Sequence, residues 1–153
     1  MNTRNATTND AHAISVFVSA LSAEHIGPSL SKGGLDKLLG SMDEAATKKR
    51  IVDGWPHVCI TDERTLLAVA VIKPPTHLYH LFVRTDQQRT GIGTKLFKVM
   101  DAWCVDSFGS NISTVNSSLN AVEAYHRFGF DTDGPVIETD GVRHQPMVRR
   151  IVG

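Results

Sequence analysis

The sequence has few cysteines, few aromatic residues and no excess of either charge. Its two cysteines, Cys59 and Cys104, lie in apolar runs without CxxC spacing or clustered histidines. We therefore expect buried free thiols in a reducing compartment rather than a disulfide or a zinc site. The 16 basic residues are balanced by 16 acidic ones, which argues against nucleic acid or an anionic membrane surface as a partner.

Long apolar runs are also missing. No run reaches the roughly 18 residues that a membrane span requires, and the polar opening segment lacks the basic start and apolar stretch of a signal peptide. We therefore expect a cytoplasmic protein. His77 and His80 are the only closely spaced histidines. Residues three apart in an extended strand point to opposite faces, so we expect no metal site.

The first third of the chain has helical periodicity. A hydrophobic content of 41% over 153 residues is enough for one core, which predicts a single domain over residues 1–153. The apolar spacing predicts a helix at about 10–24 and another helical pattern from Leu35 to Met42. Ser41 and Glu44 form a capping-box pattern, which predicts a short helix ending near Val52. We expect the basic run 48–50 to be the solvated face of that helix.

The pattern changes to strands after Trp55. Three β-rich runs, at 58–60, 66–72 and 78–83, predict sequential antiparallel strands. A long helix follows from Gly91 to about Gly109, then a short strand at 112–115, a helix at about 119–128 and a closing hairpin from 130 to 151; a further short strand is expected at 3–6. These elements predict a mixed α/β sheet.

The segment with chemical information is Gln88-Arg-Thr-Gly91-Ile-Gly93, where a strand leads into a helix. Amides at a helix start are unpaired and lie at the positive end of the dipole, and glycines leave room for a bulky anion. The predicted ligand is a phosphate or pyrophosphate. The spacing fits neither a P-loop nor the full Rossmann fingerprint. Taken alone, the pattern also fits a loop at a close helix–strand approach.

Two segments together resemble a known family. Gln88-Arg-Thr-Gly91-Ile-Gly93 is similar to the Gln/Arg-x-x-Gly-x-Gly/Ala signature of the GNAT superfamily of acyl-CoA-dependent N-acyltransferases. The segment from Asn116 to Phe130, in which an Asn precedes a helix with a Tyr and ends in Gly-Phe, resembles the downstream motif of that superfamily. The resemblance implies a mixed, mostly antiparallel sheet of about six or seven strands, splayed between the fourth and fifth and flanked by about four helices.

The resemblance implies acetyl-CoA as co-substrate and no metal. The backbone of Leu81, Phe82 and Val83 would pair with pantetheine, and one N–H would polarise the thioester carbonyl. The pyrophosphate would lie against Gln88, Arg89, Thr90, Gly91, Ile92, Gly93 and Thr94, with the amides of Arg89, Gly91, Gly93 and Thr94 as donors.

Tyr125 corresponds to the general acid of many superfamily members, although it could also be an interior aromatic residue. Asn120 would anchor pantetheine or cap the helix. His77 is the first candidate for the general base, with a base acting through water as an alternative. Tyr79, expected on the strand face of His77, and His80, expected on the opposite face, are further candidates.

Asn116, Ser117 and Ser118 end the fifth strand, where they would contact cofactor or acceptor, or form a turn and a helix cap. The leading hypothesis is an acetyltransferase acting on a primary amine of a small-molecule acceptor. A protein acetyltransferase that modifies lysine or an N-terminal amine, and a non-catalytic acyl-CoA-binding module, are the alternatives. A homodimer is a further expectation from the resemblance.

Overall fold

The computed structural model describes residues 1–149. The last residues of the expected closing strand, 150 and 151, lie outside this range. The α-helices are α1 (Ala11–His25), α2 (Lys32–Gly40), α3 (Glu44–Val52), α4 (Ile92–Phe108) and α5 (Val122–Arg127). The strands are β1 (Asn2–Asn5), β2 (His57–Asp62), β3 (Thr65–Lys73), β4 (His77–Val83), β5 (Thr114–Ser117), β6 (Phe130–Thr132), β7 (Ile137–Thr139) and β8 (Val142–Arg149).

The strands form one mixed sheet in the order β1-β2-β3-β4-β5-β8-β6, and β7 pairs with β8. Each pairing is antiparallel except that of β4 with β5, which is parallel. The expected meander, the long helix after it and the closing hairpin are confirmed. Residues 130–149 form three strands rather than the expected two. Residues 130–132 are a separate strand that pairs with the end of β8, whereas β7 forms the hairpin with the start of β8.

Helices cover both faces of the sheet. On one face, Leu96, Phe97 and Met100 of α4 pack with strand residues that include Ile72 and Leu78. On the other face, Ile14 and Val18 of α1 pack against Cys59 and Val69. The predicted periodicity of α1 and α4 is confirmed, since their apolar stripes are the buried faces. Both cysteines are free and buried.

The start of α3 corrects two expectations. Its N-cap is Asp43, whose carboxylate accepts the amide of Ala46 at 2.8 Å. The Ser41 hydroxyl instead donates to the carbonyl of Leu38 at 2.6 Å, in the last turn before α2 ends. Asp is as favourable an N-cap residue as Ser, and Asp43 directly precedes the unpaired amides in the first turn of α3. The basic run is also only partly solvated, because Arg50 is half-buried.

The sheet splays between β4 and β5, as the resemblance implied. These strands pair only at His77 with Thr114 and Leu78 with Val115. Further along, β5 continues its pairing with β8, as in the pair Ser117 and Gln145. The edge of β4 that faces β5 therefore lacks a partner strand from Tyr79 to Val83.

A β-bulge at Tyr79 marks the point where the strands separate. Leu78 opposes Ile72 and His80 opposes Val71, so Tyr79 is an extra residue in β4. A bulge reverses the alternation of side chains, and Leu78 and Leu81 accordingly both contact the core beside α4. The expectation that Tyr79 and His80 lie on opposite faces is wrong: their ring centroids are 4.4 Å apart.

The same reversal corrects the expectation for the histidines, because it brings His77 and His80 onto one face. Within residues 1–149, no group of three or more His, Cys, Asp or Glu side chains could hold a metal ion. No helix in this range is both long enough and apolar enough to cross a membrane.

Candidate active site

The open edge of β4 presents main-chain amides to the gap between β4 and β5. The amide of Arg84 donates to the carbonyl of Leu67 on the β3 side at 2.8 Å. Because hydrogen-bonded and non-hydrogen-bonded pairs alternate along an antiparallel ladder, the amide of Phe82 also faces β3. The amides of Leu81 and Val83 therefore face the gap.

The loop after β4 leads to the start of α4. Gln88 donates from Nε2 to the carbonyl of Val83 at 3.2 Å, and the Thr90 hydroxyl donates to the carbonyl of Gln87 at 2.5 Å. Arg89 has φ 64° and Gly91 has φ 89°, both in the left-handed region. Two left-handed residues within three positions turn the chain sharply just before α4.

The helix start has free amide donors. The first helical bond runs from the amide of Lys95 to the carbonyl of Gly91 at 3.0 Å, so the amides of Ile92, Gly93 and Thr94 have no intrahelical acceptor. No side chain caps this end. A Cβ at Gly91 would have no atom within 4 Å, whereas one at Gly93 would lie 3.4 Å from Val83 Cγ2. The arrangement can bind an anion.

Tyr125 is buried on α5, with 8% of its surface exposed. Its ring packs edge-on against Phe128 and Phe130, with centroids 6.2 and 5.8 Å away. It belongs to the core cluster that Leu81 and Val83 border. Burial raises the pKa of Tyr125 well above its usual range, and its hydroxyl makes no hydrogen bond to another residue within 1–149. The expectation that Tyr125 is an interior aromatic residue is confirmed.

Asn120 joins the end of β5 to the end of α1. Its Nδ2 donates to the main-chain carbonyl of His25 at 3.0 Å, and its Oδ1 accepts from the Ser118 hydroxyl at 2.7 Å. It lies inside the 3-10 turn Leu119–Ala121, so it is not a helix cap. Ser117 is buried, and Asn116 is exposed beside β8.

His25 is a site residue that the sequence analysis missed. Its Nε2 lies 2.9 Å from the Thr85 hydroxyl, which follows β4, while its carbonyl accepts from Asn120, which follows β5. The end of α1 therefore bridges the two strand ends across the splay. These contacts span 60 and 95 residues of sequence, so no local pattern could have indicated them.

His77 lies at the closed end of the splay. Its Nδ1 is 2.8 Å from the Thr114 hydroxyl. Burial, followed by the charges of Lys73 and His144, lowers the pKa of His77. His80 is more strongly perturbed, since burial, with Arg50 and His57 adding to it, lowers its pKa to about 3. The hydroxyl of Tyr79 accepts from Arg50 Nη2 at 3.2 Å.

A strand edge that opens beside a helix start with free amides is the arrangement that the resemblance implied. The family model described as an acetyltransferase (GNAT) domain matches residues 26–151. The chain belongs to the GNAT family of acetyltransferases. This GNAT domain is therefore an acyltransferase that uses acyl-CoA. No curated protein sequence matches it.

Solved structures share the GNAT fold. A GCN5-related N-acetyltransferase from Rhodopseudomonas palustris superposes with a TM-score of 0.79 at 20% identity, covering 98% of this chain and 95% of that one. The PaiA N-acetyltransferase from Thermoplasma acidophilum, solved in complex with coenzyme A, has a TM-score of 0.76 at 14% identity, with 98% of each chain covered. At such identities the likeness shows the fold alone.

Proposed function

We propose that this GNAT domain transfers the acetyl group of acetyl-CoA directly to a primary amine of a small-molecule acceptor, releasing CoA. The observation that carries the proposal is the open edge of β4, where the amides of Leu81 and Val83 face the gap and the strand leads to the helix start at Gly91. A pantetheine arm can pair with such an edge as an added strand, and a pyrophosphate can lie on the helix start.

The loop and the first turn of α4 would hold the pyrophosphate. The amides of Arg89, Gly91, Gly93 and Thr94 are the proposed donors, and the exposed charge of Arg89 adds attraction. The full proposed donor site consists of Leu81, Phe82, Val83, Gln88, Arg89, Thr90, Gly91, Ile92, Gly93, Thr94, Asn120 and Tyr125. The side chain of Ile92 is buried in the core, so its contribution would come from the main chain.

Bound acetyl-CoA supplies an acetyl group activated as a thioester. The amide of Leu81 or Val83, held in position by the sheet, would donate to the carbonyl oxygen, where negative charge develops as the amine attacks. Both substrates can be held in the splay at once, so direct transfer needs no covalent enzyme intermediate.

Tyr125 would donate its proton to the departing sulfur. Burial raises its pKa and so makes the phenol a weaker acid. The same desolvation also strengthens a thiolate as a base: in this protein burial raises the pKa of Cys59 to about 11. The higher pKa of a buried thiol therefore offsets part of the acidity that burial removes from the phenol.

His77 would accept the proton of the attacking amine, directly or through water. Its lowered pKa keeps the ring neutral at neutral pH, as a base requires, and the contact with Thr114 holds the ring in place. Because His77 lies before the opening, a water relay fits its position better than direct contact. His80, with a pKa of about 3, is too weak a base for this step.

A small acceptor is favoured by the contacts at the end of α1. His25 contacts Thr85 on one side of the splay and Asn120 on the other, which covers part of the opening. An extended protein segment would need this bridge to open, whereas a small amine would not. Tyr79, Asn116 and Ser118 are the proposed acceptor contacts.

The test is calorimetric titration with acetyl-CoA, followed by thiol release against a panel of amines. Both cysteines are buried, and burial raises the pKa of each thiol to about 11, so the thiol reagent will report released CoA. Tyr125→Phe should bind acetyl-CoA as the wild type does and turn over about 100-fold more slowly. Binding without turnover would be the result for a non-catalytic module or for an acceptor outside the panel, and absence of binding would refute the donor site.

A further inference from the structure

Arg50 has an unusual position on α3. Its guanidinium carbon lies 4.8 Å from the ring centroid of Tyr79 and 5.9 Å from that of Trp55. Its Nη2 donates both to the carbonyl of Ser41 and to the hydroxyl of Tyr79. A guanidinium that stacks on aromatic rings can also bind a carboxylate or phosphate through its remaining N–H groups.

No carboxylate within residues 1–149 pairs with Arg50. The other two half-buried arginines in this range each have such a partner: Arg84 lies 2.6 Å from Asp86 and Arg149 lies 3.0 Å from Asp101. Both hydrogen bonds of Arg50 within this range use Nη2. The N–H groups of Nε and Nη1 have no acceptor within this range, so each can donate a charge-assisted hydrogen bond to a carboxylate oxygen.

The site lies at the start of the open edge. Tyr79 is the bulge residue and the first residue of β4 beyond the last pair with β5. From Trp55 a row of rings runs along β4 through Tyr79, His80 and Phe82, with successive centroids 5.0, 4.4 and 5.2 Å apart. The row ends next to Leu81 and Val83, whose amides face the gap. Tyr79 and Leu81 are about 7 Å apart along an extended strand, the span of a few covalent bonds.

The surrounding charges favour an anion. Burial is the main cause of the lowered pKa values of His77 and His80. Lys73 and His144 add to the effect at His77. Arg50 and His57 add to it at His80. The histidines are thus neutral at neutral pH. The positive charge of Arg50 has no carboxylate partner within residues 1–149.

We infer that Arg50, stacked on Tyr79 and Trp55, binds a carboxylate of the acceptor, and that the acceptors of this domain are small amino acids in which a few bonds separate amine and carboxylate. This inference rests on the proposed function. Arg50 would bind one end of the acceptor while the other end, carrying the amine, reaches the open edge near Leu81. Amines without a carboxylate would leave the guanidinium without its partner.

The first test measures binding without turnover, so that it is independent of catalysis. The probes are the reaction products N-acetylglycine, N-acetyl-β-alanine and N-acetyl-γ-aminobutyrate, each compared with its carboxamide in calorimetric titrations. The wild type should prefer the best carboxylate over its carboxamide by about 10- to 100-fold, because a hydrogen-bonded charge pair is lost in the amide. Equal affinities for each pair, or no binding of any carboxylate, would overturn the inference.

Variants on α3 locate the effect. Arg50→Gln should remove the preference for carboxylate over carboxamide. Arg50→Lys should keep only part of it, because an ammonium on a flexible stem lacks the planar group that stacks on Tyr79 and Trp55. Lys49→Gln is the matched control: it removes one positive charge from the neighbouring position, where Lys49 is exposed and pairs with Asp53. It should retain the preference. Thermal melting of Arg50→Gln checks that the fold is retained, and retention of the preference in a folded Arg50→Gln would also overturn the inference.

The second test uses turnover. The wild type should acetylate glycine, β-alanine or γ-aminobutyrate with a kcat/KM at least about 10-fold above that for the corresponding amino amide. Failure of the wild type to bind acetyl-CoA would refute the proposed function. Binding of acetyl-CoA with no preference for the carboxylate acceptor would refute only the role of Arg50.

Discussion

Gly91 and Gly109 offer a matched test of the anion site at the start of α4. They stand at opposite ends of this helix, with φ 89° and 73°, and a Cβ at either would have no atom within 4 Å. An alanine at either position suffers the same left-handed strain, about 1–2 kcal/mol. Each variant should therefore melt a few degrees below the wild type, since about 1 kcal/mol corresponds to roughly 2–4 °C in a domain of this size.

Only Gly91→Ala should weaken binding of acetyl-CoA. Its Cβ would take up space beside the free amides, and relaxation of the strained φ would rotate the peptide that carries the Gly91 amide, one of the proposed donors. Loss of one hydrogen bond to a charged group is worth about 1.5–3 kcal/mol, or roughly a 10- to 150-fold weaker Kd. Gly109→Ala should bind as the wild type does.

Calorimetry with acetyl-CoA measures both variants directly, and thermal melting gives the strain of each. An unchanged Kd for Gly91→Ala, with the melting temperature lowered as expected, would show that the pyrophosphate does not lie on this helix start. An equal loss of affinity in Gly109→Ala would attribute the effect to helix stability rather than to the site.

Two further predictions concern stability. Gly34→Ala should lower the free energy of unfolding by about 1–3 kcal/mol, because its Cβ would lie 2.7 Å from the carbonyl oxygen of Gly141; Gly33→Ala, which meets nothing within 4 Å, should raise it by up to about 1 kcal/mol, and denaturant titration would distinguish them. The hydrogen bond from Arg4 lowers the pKa of Asp10 to about 2. The contribution of the ionised Asp10 to the free energy of unfolding is therefore present above its unfolded pKa of ~3.9, and it is lost as pH falls toward 2. Asp10→Asn should flatten this loss, and an unchanged pH profile would contradict the assignment.

Local signals explain why much of the fold could be predicted. The apolar stripe of α1 and the glycine at each end of α4 are encoded within a few residues, so periodicity and turn chemistry were sufficient to predict these helices. The cap of α3 was expected at Ser41 rather than Asp43, because both residues suit a cap. In the structure the Ser41 hydroxyl donates to the Leu38 carbonyl at the end of α2, and Asp43 caps α3.

The bulge at Tyr79 could not be predicted from the sequence of β4. The residues of β4 do not themselves indicate whether the strand is regular or contains an extra residue. That depends on the pairing with β3, where Ile72 opposes Leu78 and Val71 opposes His80. One extra residue reversed the faces assigned to the residues before it, including His77. Register is a property of two strands rather than of one.

The sequence by itself determined the family of this protein, because the Gln88–Gly93 loop and its helix start are local in the chain and the chemistry of free amides depends only on that short segment. The tertiary structure alone decided which residues surround the proposed acceptor site. The contacts of His25 with Thr85 and Asn120, and of Arg50 with Tyr79, join segments 29 to 95 residues apart. Such contacts follow from how the helices pack on the splayed sheet, and no local pattern records that packing.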